Sequence, residues 1–306
     1  MSAQTPVPSG ATDAMREITV DTVFGTQAAL RNMAPAGATR VLALHGWLDN
    51  AASFVPLASH LAHVDLVALE LPGHGFSAHL PAAADYTLTL SARAAFAFAD
   101  ALGWDRFVLL GHSLGGATAT VMAAAQPARI ERLALIESLG GLSEREDRTA
   151  QRLRDAYDAH VARPTRGLRV FDDVDTAIRA RMQANGLSEP VARLLVERGI
   201  AQVAGGVVWR SDPRLTRATA VRMTEAQTRD LIAAIECPVH LIAADPPPPY
   251  FTADLRNART ALLRDGRVTV VPGTHHLHME TPARVAQAFG NFIDGAVSDV
   301  EIVGER

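Results

Sequence analysis

The sequence predicts an α/β fold, a mostly parallel doubly wound sheet into which a run of helices is inserted. Short continuous apolar runs alternate with helical spacings through the first half of the chain, as expected for strands covered on both faces. That texture stops near residue 143, gives way to charged amphipathic helices up to 235, and then resumes. Third, Gly111-His112-Ser113-Leu114-Gly115 follows the apolar run Phe107–Leu110 and precedes a small-residue helix, Gly116 to Ala125. In a strand-to-helix setting this pattern makes a sharp turn that lifts a serine hydroxyl above the sheet.

Each element has a local reason. Glu17–Val20 and Gln27–Asn32 read as a hairpin at the sheet edge, and Val41–Leu44 as a buried strand ending in His45-Gly46-Trp47. A helix is expected over Ala51–Ala62. The strand Leu66–Leu69 then runs into Leu71-Pro72-Gly73-His74-Gly75. Alanine-rich spacing predicts a helix over Thr89–Leu102, and Leu133–Ile136 is the strand after the serine helix. Helices over Ser143–Val161, Asp173–Ala184, Glu189–Val203 and Thr224–Ile235 follow, with no strand among them and a loop at Gly205–Arg210. Four successive helices cannot each return the chain to a parallel sheet, so 143–235 is expected to be a helical cap. Residues 15–142 and 236–306 then form the core, and 1–14 a flexible tail. Strands return at Pro238–Ile242 and Arg267–Val271, with helices at Thr252–Leu263 and Pro282–Phe292. The last helix has proline in its first turn, where the missing N–H costs nothing. Prolines 246–249 predict a stiff extended loop.

Composition excludes several classes. The chain has 306 residues, 48% of them hydrophobic, and a formal net charge of −4. Such a chain buries a large core, and lacks the basic block expected of a nucleic-acid or anionic-membrane binder. No apolar run approaches the roughly 18 residues of a spanning helix. The first dozen residues lack the basic start and apolar centre of a secretory signal. The single cysteine, Cys237, precludes an intramolecular disulfide, reads as a small buried hydrophobe and fits a cytoplasmic protein. Oligomeric state is not legible.

A serine hydroxyl needs a base within hydrogen-bond reach and a carboxylate to orient that base. In this topology the base is expected from the loop after the last strand, which holds His275, His276 and His278. Three close histidines also raise zinc, but the spacing carries no cysteine and no obvious acidic partner, so no metal and no cofactor is expected. His45, His74 and His112, at strand ends and turns, read as structural hydrogen-bonders.

Four motifs together, His45-Gly46-Trp47, Leu71-Pro72-Gly73-His74-Gly75-Phe76-Ser77, Gly111–Gly115 and Gly273-Thr274-His275-His276-Leu277-His278-Met279-Glu280, identify the chain as resembling the α/β-hydrolase superfamily from about residue 15 onward. More narrowly it is similar to the serine hydrolase-like subfamily, through Leu44-His45-Gly46-Trp47-Leu48-Asp49-Asn50 and Trp209-Arg210-Ser211-Asp212-Pro213-Arg214-Leu215. The resemblance implies an α/β-hydrolase fold with Ser113 as nucleophile. It implies His275 as base, by registering Glu280 on the glutamate that follows the superfamily's histidine. It further implies an oxyanion hole from the backbone N–H groups of Trp47 and Leu114.

The acid has two candidates. The superfamily's position after the strand 238–242 reads Ala243-Ala244-Asp245-Pro246-Pro247 here, with Asp245 two residues early. Glu137 ends the preceding apolar strand, a place from which some superfamily members take their acid. A carboxylate there is costly to bury without an imidazolium beside it, which favours Glu137 over Asp245. The expected activity is hydrolysis of a carboxylic ester or thioester of a small, hydrophobic substrate through an acyl-enzyme. The alternatives are a carbon–carbon bond hydrolase or cofactor-free haloperoxidase on the same triad, or an inactive hydrolase fold that serves in binding.

Overall fold

The computed structural model describes residues 15–161 and 169–295. The tail expected at 1–14 therefore lies outside the described residues. In chain order the elements are β1 (Met15–Thr22), β2 (Gly25–Asn32), β3 (Arg40–Leu44), α1 (Val55–Ala58), β4 (Asp65–Leu69), α2 (Leu88–Ala101), β5 (Phe107–His112), α3 (Leu114–Ala125) and β6 (Ile130–Ile136). After them come α4 (Thr149–Val161), α5 (Val174–Asn185), α6 (Glu189–Gly199), β7 (Ile200–Val203), β8 (Gly206–Trp209) and α7 (Glu225–Ala233). The chain returns to the sheet with β9 (Val239–Asp245), α8 (Ala253–Thr260), β10 (Gly266–Pro272), α9 (Leu277–Glu280) and α10 (Pro282–Phe289).

Eight strands form one sheet in the order β1-β2-β4-β3-β5-β6-β9-β10. β1 and β2 pair antiparallel, β2 meets β4 antiparallel, and every later pairing is parallel. Alternate residues feed two cores. Leu42, Leu44, Leu109 and Leu135 pack with Phe98, Met122 and Ile232 from α2, α3 and α7 on one face. Val41, Ala43, Leu110 and Ile136 pack with Leu57, Val285 and Phe289 from α1 and α10 on the other. Burial on both faces is why these strands read as unbroken apolar runs.

Residues between β6 and β9 hold most of a third cluster, including Phe171, Ile178, Leu195 and Val207, which Met279 of α9 joins from the core. The helix starts there follow side-chain caps. Asp173 accepts from the Thr176 N–H at 2.7 Å, and Thr224 and Gln227 form a reciprocal capping box. One expectation fails in this segment. The helix expected to reach Val203 stops at Gly199, and Ile200–Val203 pairs antiparallel with Gly206–Trp209 as a hairpin, where a loop was expected. Ile200 continues the helical spacing of Val196, which hides the break. Ala204 and Gly205 make the two-residue turn, and Val207 bridges the backbone of Phe171. The helix expected over Ala51–Ala62 is also shorter, a 3-10 turn at Ala51–Phe54 followed by α1.

Candidate active site

The candidate residues gather at the carboxyl ends of the parallel strands, where open α/β sheets place their crevices. Ser113 stands between β5 and α3 with φ 52° and ψ −113°. The flanking glycines are dictated by close approach. A Cβ on Gly115 would lie 1.8 Å from the Leu44 carbonyl oxygen, and one on Gly111 2.6 Å from the Gly116 Cα. Among the described residues, the non-glycine positions with positive φ are Leu48, Ser113 and Glu137. Each such conformation costs on the order of 1–3 kcal/mol and survives only where its surroundings enforce it. All three lie in the loops that follow β3, β5 and β6.

Side chains complete an unbroken chain of contacts. The Ser113 Oγ lies 2.9 Å from His275 Nε2, and His275 Nδ1 lies 3.2 Å from Glu137 Oε2. A carboxylate only accepts, so Nδ1 carries the proton and Nε2 is free to take one from the serine. The other Glu137 oxygen accepts from the Ala244 N–H at 2.5 Å, and the residue is 2% exposed. The structure thus brings Ser113, His275 and Glu137 together. Asp245 is exposed at the end of β9, with its backbone paired to Pro272 and its carbonyl accepting from the Gly273 N–H.

The backbone N–H of Leu114 is the first of α3, where no helical acceptor exists. Trp47 sits in the loop after β3, its indole N–H donating to the Leu215 carbonyl at 3.0 Å. His45 and His74 brace these loops: His45 Nε2 accepts from the Leu71 N–H at 3.1 Å, and His74 Nε2 from the Leu48 N–H at 3.3 Å. Burial pushes His74 down to about 3 and His112 to about 4. Both rings are therefore neutral at pH 7.

Residues 143–235 are tied over these loops by charge. Arg181 of α5 bonds the buried Asp49 carboxylate, and Arg198 of α6 the buried Glu70 carboxylate at 2.7 Å. Asp212 accepts from the Tyr86 hydroxyl at 2.8 Å, while Arg214 donates to Asp212 and to the carbonyls of Leu80, Pro81 and Ala84. Sequence reasoning missed Asp49, Arg181 and Tyr250. The Tyr250 ring, in the proline loop, stands edge-on to His275 with centroids 5.5 Å apart. A cavity of about 370 Å³ bordered by Arg16, Arg31, Asp65 and Trp104 lies at the opposite, amino-terminal end of β3 and β4, away from Ser113. Among the described residues no helix is long and apolar enough to cross a membrane.

Residues 39–188 match the family model described as the alpha/beta hydrolase fold. The chain is 30% identical over 274 residues to human serine hydrolase-like protein 2, covering 83% of this chain and 86% of that protein. A serine hydrolase-like protein of Dictyostelium discoideum is 29% identical, over 83% of this chain and 74% of the relative. Among solved structures, a hypothetical protein from Pseudomonas aeruginosa PAO1 superposes with a TM-score of 0.84 at 38% identity, covering 90% of this chain and 98% of that one. The thioesterase domain from the curacin biosynthetic pathway shares the fold, with a TM-score of 0.79 at 24% identity over 90% of this chain and 98% of the domain. Strand order, a serine held in a strained turn and relatives that match along most of their length lead to one assignment: the chain belongs to the α/β-hydrolase superfamily, in its serine hydrolase-like family.

Proposed function

We propose that the protein is a serine hydrolase that cleaves a carboxylic ester or thioester through an acyl-enzyme. The observation that carries this reading is the continuous Ser113–His275–Glu137 contact chain, with its carboxylate buried and its serine half-buried at the carboxyl end of β5. His275 Nε2 takes the Ser113 proton as Oγ attacks the substrate carbonyl, and Glu137 steadies the imidazolium that forms. The N–H groups of Trp47 and Leu114 hold the oxyanion, where α3 adds its positive dipole end. His275 then passes its proton to the departing alcohol or thiol. Water, deprotonated by the same nitrogen, releases the acid and regenerates the hydroxyl.

Of the cap expected at 143–235, the stretch up to about 223 lies over the cleft, while α7 packs on the sheet. Tyr250 beside His275 and Trp47, which is half exposed, give the entrance apolar walls that suit a small hydrophobic acyl group.

A fluorophosphonate probe should label Ser113, located by peptide mass mapping, and a panel of p-nitrophenyl esters of graded chain length should be turned over. Ser113→Ala should remove labelling and lower kcat by about four to six orders of magnitude with the fold intact. Near-normal turnover in that variant rules the mechanism out. Absence of labelling together with absence of turnover in the wild type identifies an inactive hydrolase fold instead.

A further inference from the structure

Behind the Ser113–His275 contact lies a second polar cluster that the proposed mechanism does not use. Asp49, His112 and His276 come from the loop after β3, the end of β5 and the loop after β10, and all three are buried. Asp49 Oδ2 lies 3.6 Å from His112 Nδ1 and 3.4 Å from His276 Nε2. The three atoms are within 4.8 Å of one another.

Their hydrogen-bonding is frustrated. His112 Nε2 lies 2.9 Å from the His275 carbonyl oxygen. That oxygen only accepts, so Nε2 carries the ring's hydrogen, and in the neutral ring Nδ1 is a bare lone pair. It faces Asp49 Oδ2, which is also an acceptor. Neither Asp49 Oδ2 nor His112 Nδ1 receives a hydrogen bond. Two buried lone pairs turned toward each other, with a third donor atom alongside, form an arrangement that a cation satisfies and a single neutral hydrogen bond does not.

We propose that Asp49 Oδ2, His112 Nδ1 and His276 Nε2 form a binding site for one divalent transition-metal ion of the zinc type. A point equidistant from three atoms so spaced is roughly 2.4 Å from each, and small side-chain rotations close that to metal–ligand lengths of about 2.0–2.2 Å. The outer contacts that orient metal ligands already exist. His112 donates its remaining ring N–H to a backbone carbonyl, and the second Asp49 oxygen accepts from Arg181. Two imidazoles and one carboxylate favour zinc, cobalt or nickel over magnesium or calcium. Arg181 opposes the ion's charge, so binding is weaker than at closed four-ligand structural sites. His112 precedes Ser113 and His276 follows His275, so a bound ion ties the two strand-end loops together beneath the candidate nucleophile and base.

The test uses the untagged full-length chain, stripped with EDTA and titrated with Co(II), whose visible spectrum reports nitrogen and oxygen ligation. The expected result is one equivalent bound, a new visible absorption band and a Tm several degrees higher at saturation. Asp49→Asn and His276→Gln should lose both band and Tm shift, whereas exposed His60→Gln keeps them. Anomalous scattering from a Co(II)-soaked crystal should place the ion between the three side chains, a result that depends on no variant's folding. Failure of the wild type to hold any stoichiometric ion, or an anomalous peak found only elsewhere, overturns the proposal.

Discussion

Around Ser113 the chain is confined by its own backbone. The missing Cβ of Gly115 leaves just enough room for the Leu44 carbonyl, and Gly111 packs against the Cα of Gly116. The residues between β6 and α7 are held mainly by side chains instead: Arg181 on Asp49, Arg198 on Glu70, Asp212 on Tyr86, and Arg214 on three carbonyls. Main-chain contact leaves no choice of residue, and so marks the sequence. Side-chain contact can be made by many pairs from distant positions, and leaves little local trace.

The sharpest way to break this comparison is at the carboxylate that touches both worlds, Glu137, which closes β6 and opens the insertion. Glu137→Gln should reduce kcat on a p-nitrophenyl ester by about three to four orders of magnitude, because the amide can stabilise the wrong His275 tautomer and cannot compensate the imidazolium. Asp245→Asn should stay within about threefold of the wild type. The reverse ranking would move the acid to β9.

Next in size is a stability contrast. Gly115→Ala forces a methyl group into the Leu44 carbonyl and should cost at least about 3 kcal/mol in urea unfolding. A loss below 1 kcal/mol would show that the turn relaxes freely.

On acidification the two regions should fail in turn. His74 and His112 at the turn, and His240 on β9, are pushed by burial to about 3, 4 and 4. Their native values lie below the unfolded value near 6.5, so their contribution is complete above that pH and is lost as pH falls toward 4 and 3. Each adds a slope of up to about 1.4 kcal/mol per pH unit in that window. On α7, the helix that crosses from the inserted stretch back to the sheet, Arg259 holds Glu225 down to about 2. Its contribution is present above the ordinary glutamate value and declines only as pH drops toward 2. A Tm that stays flat between pH 6.5 and 4 would contradict the neutral buried histidines.

The smallest effect belongs to the insertion. Gly186→Ala, at the left-handed end of α5 where a Cβ meets nothing within 4 Å, should cost only about 1 kcal/mol. A penalty as large as that of Gly115→Ala would erase the distinction between the two regions.

The same distinction explains what could be read from the letters. The parallel sheet was legible because both faces of β3, β5 and β6 are buried, which forces runs such as Val108-Leu109-Leu110. The turn at Ser113 was legible through its glycines, and Glu137 stood out as a charged residue ending an apolar strand. The hairpin β7–β8 was not, because Ile200 keeps helical phase with Val196. Asp49 was invisible as a partner of the histidine loop. Its ties to Arg181 and His276 span 132 and more than 200 residues, beyond any local spacing rule. Tyr250 was hidden for a different reason, since four prolines say that the loop is stiff but not where its far end points.

β6 and β9 lie side by side in the sheet, and the nine-residue helix α7, together with the turns that flank it, is enough for the crossover that parallel neighbours require. Everything between residue 143 and about 223 is therefore topologically surplus. That stretch can be lengthened, shortened or exchanged for another without disturbing strand order, which makes it the natural place for engineering a different clientele onto unchanged chemistry.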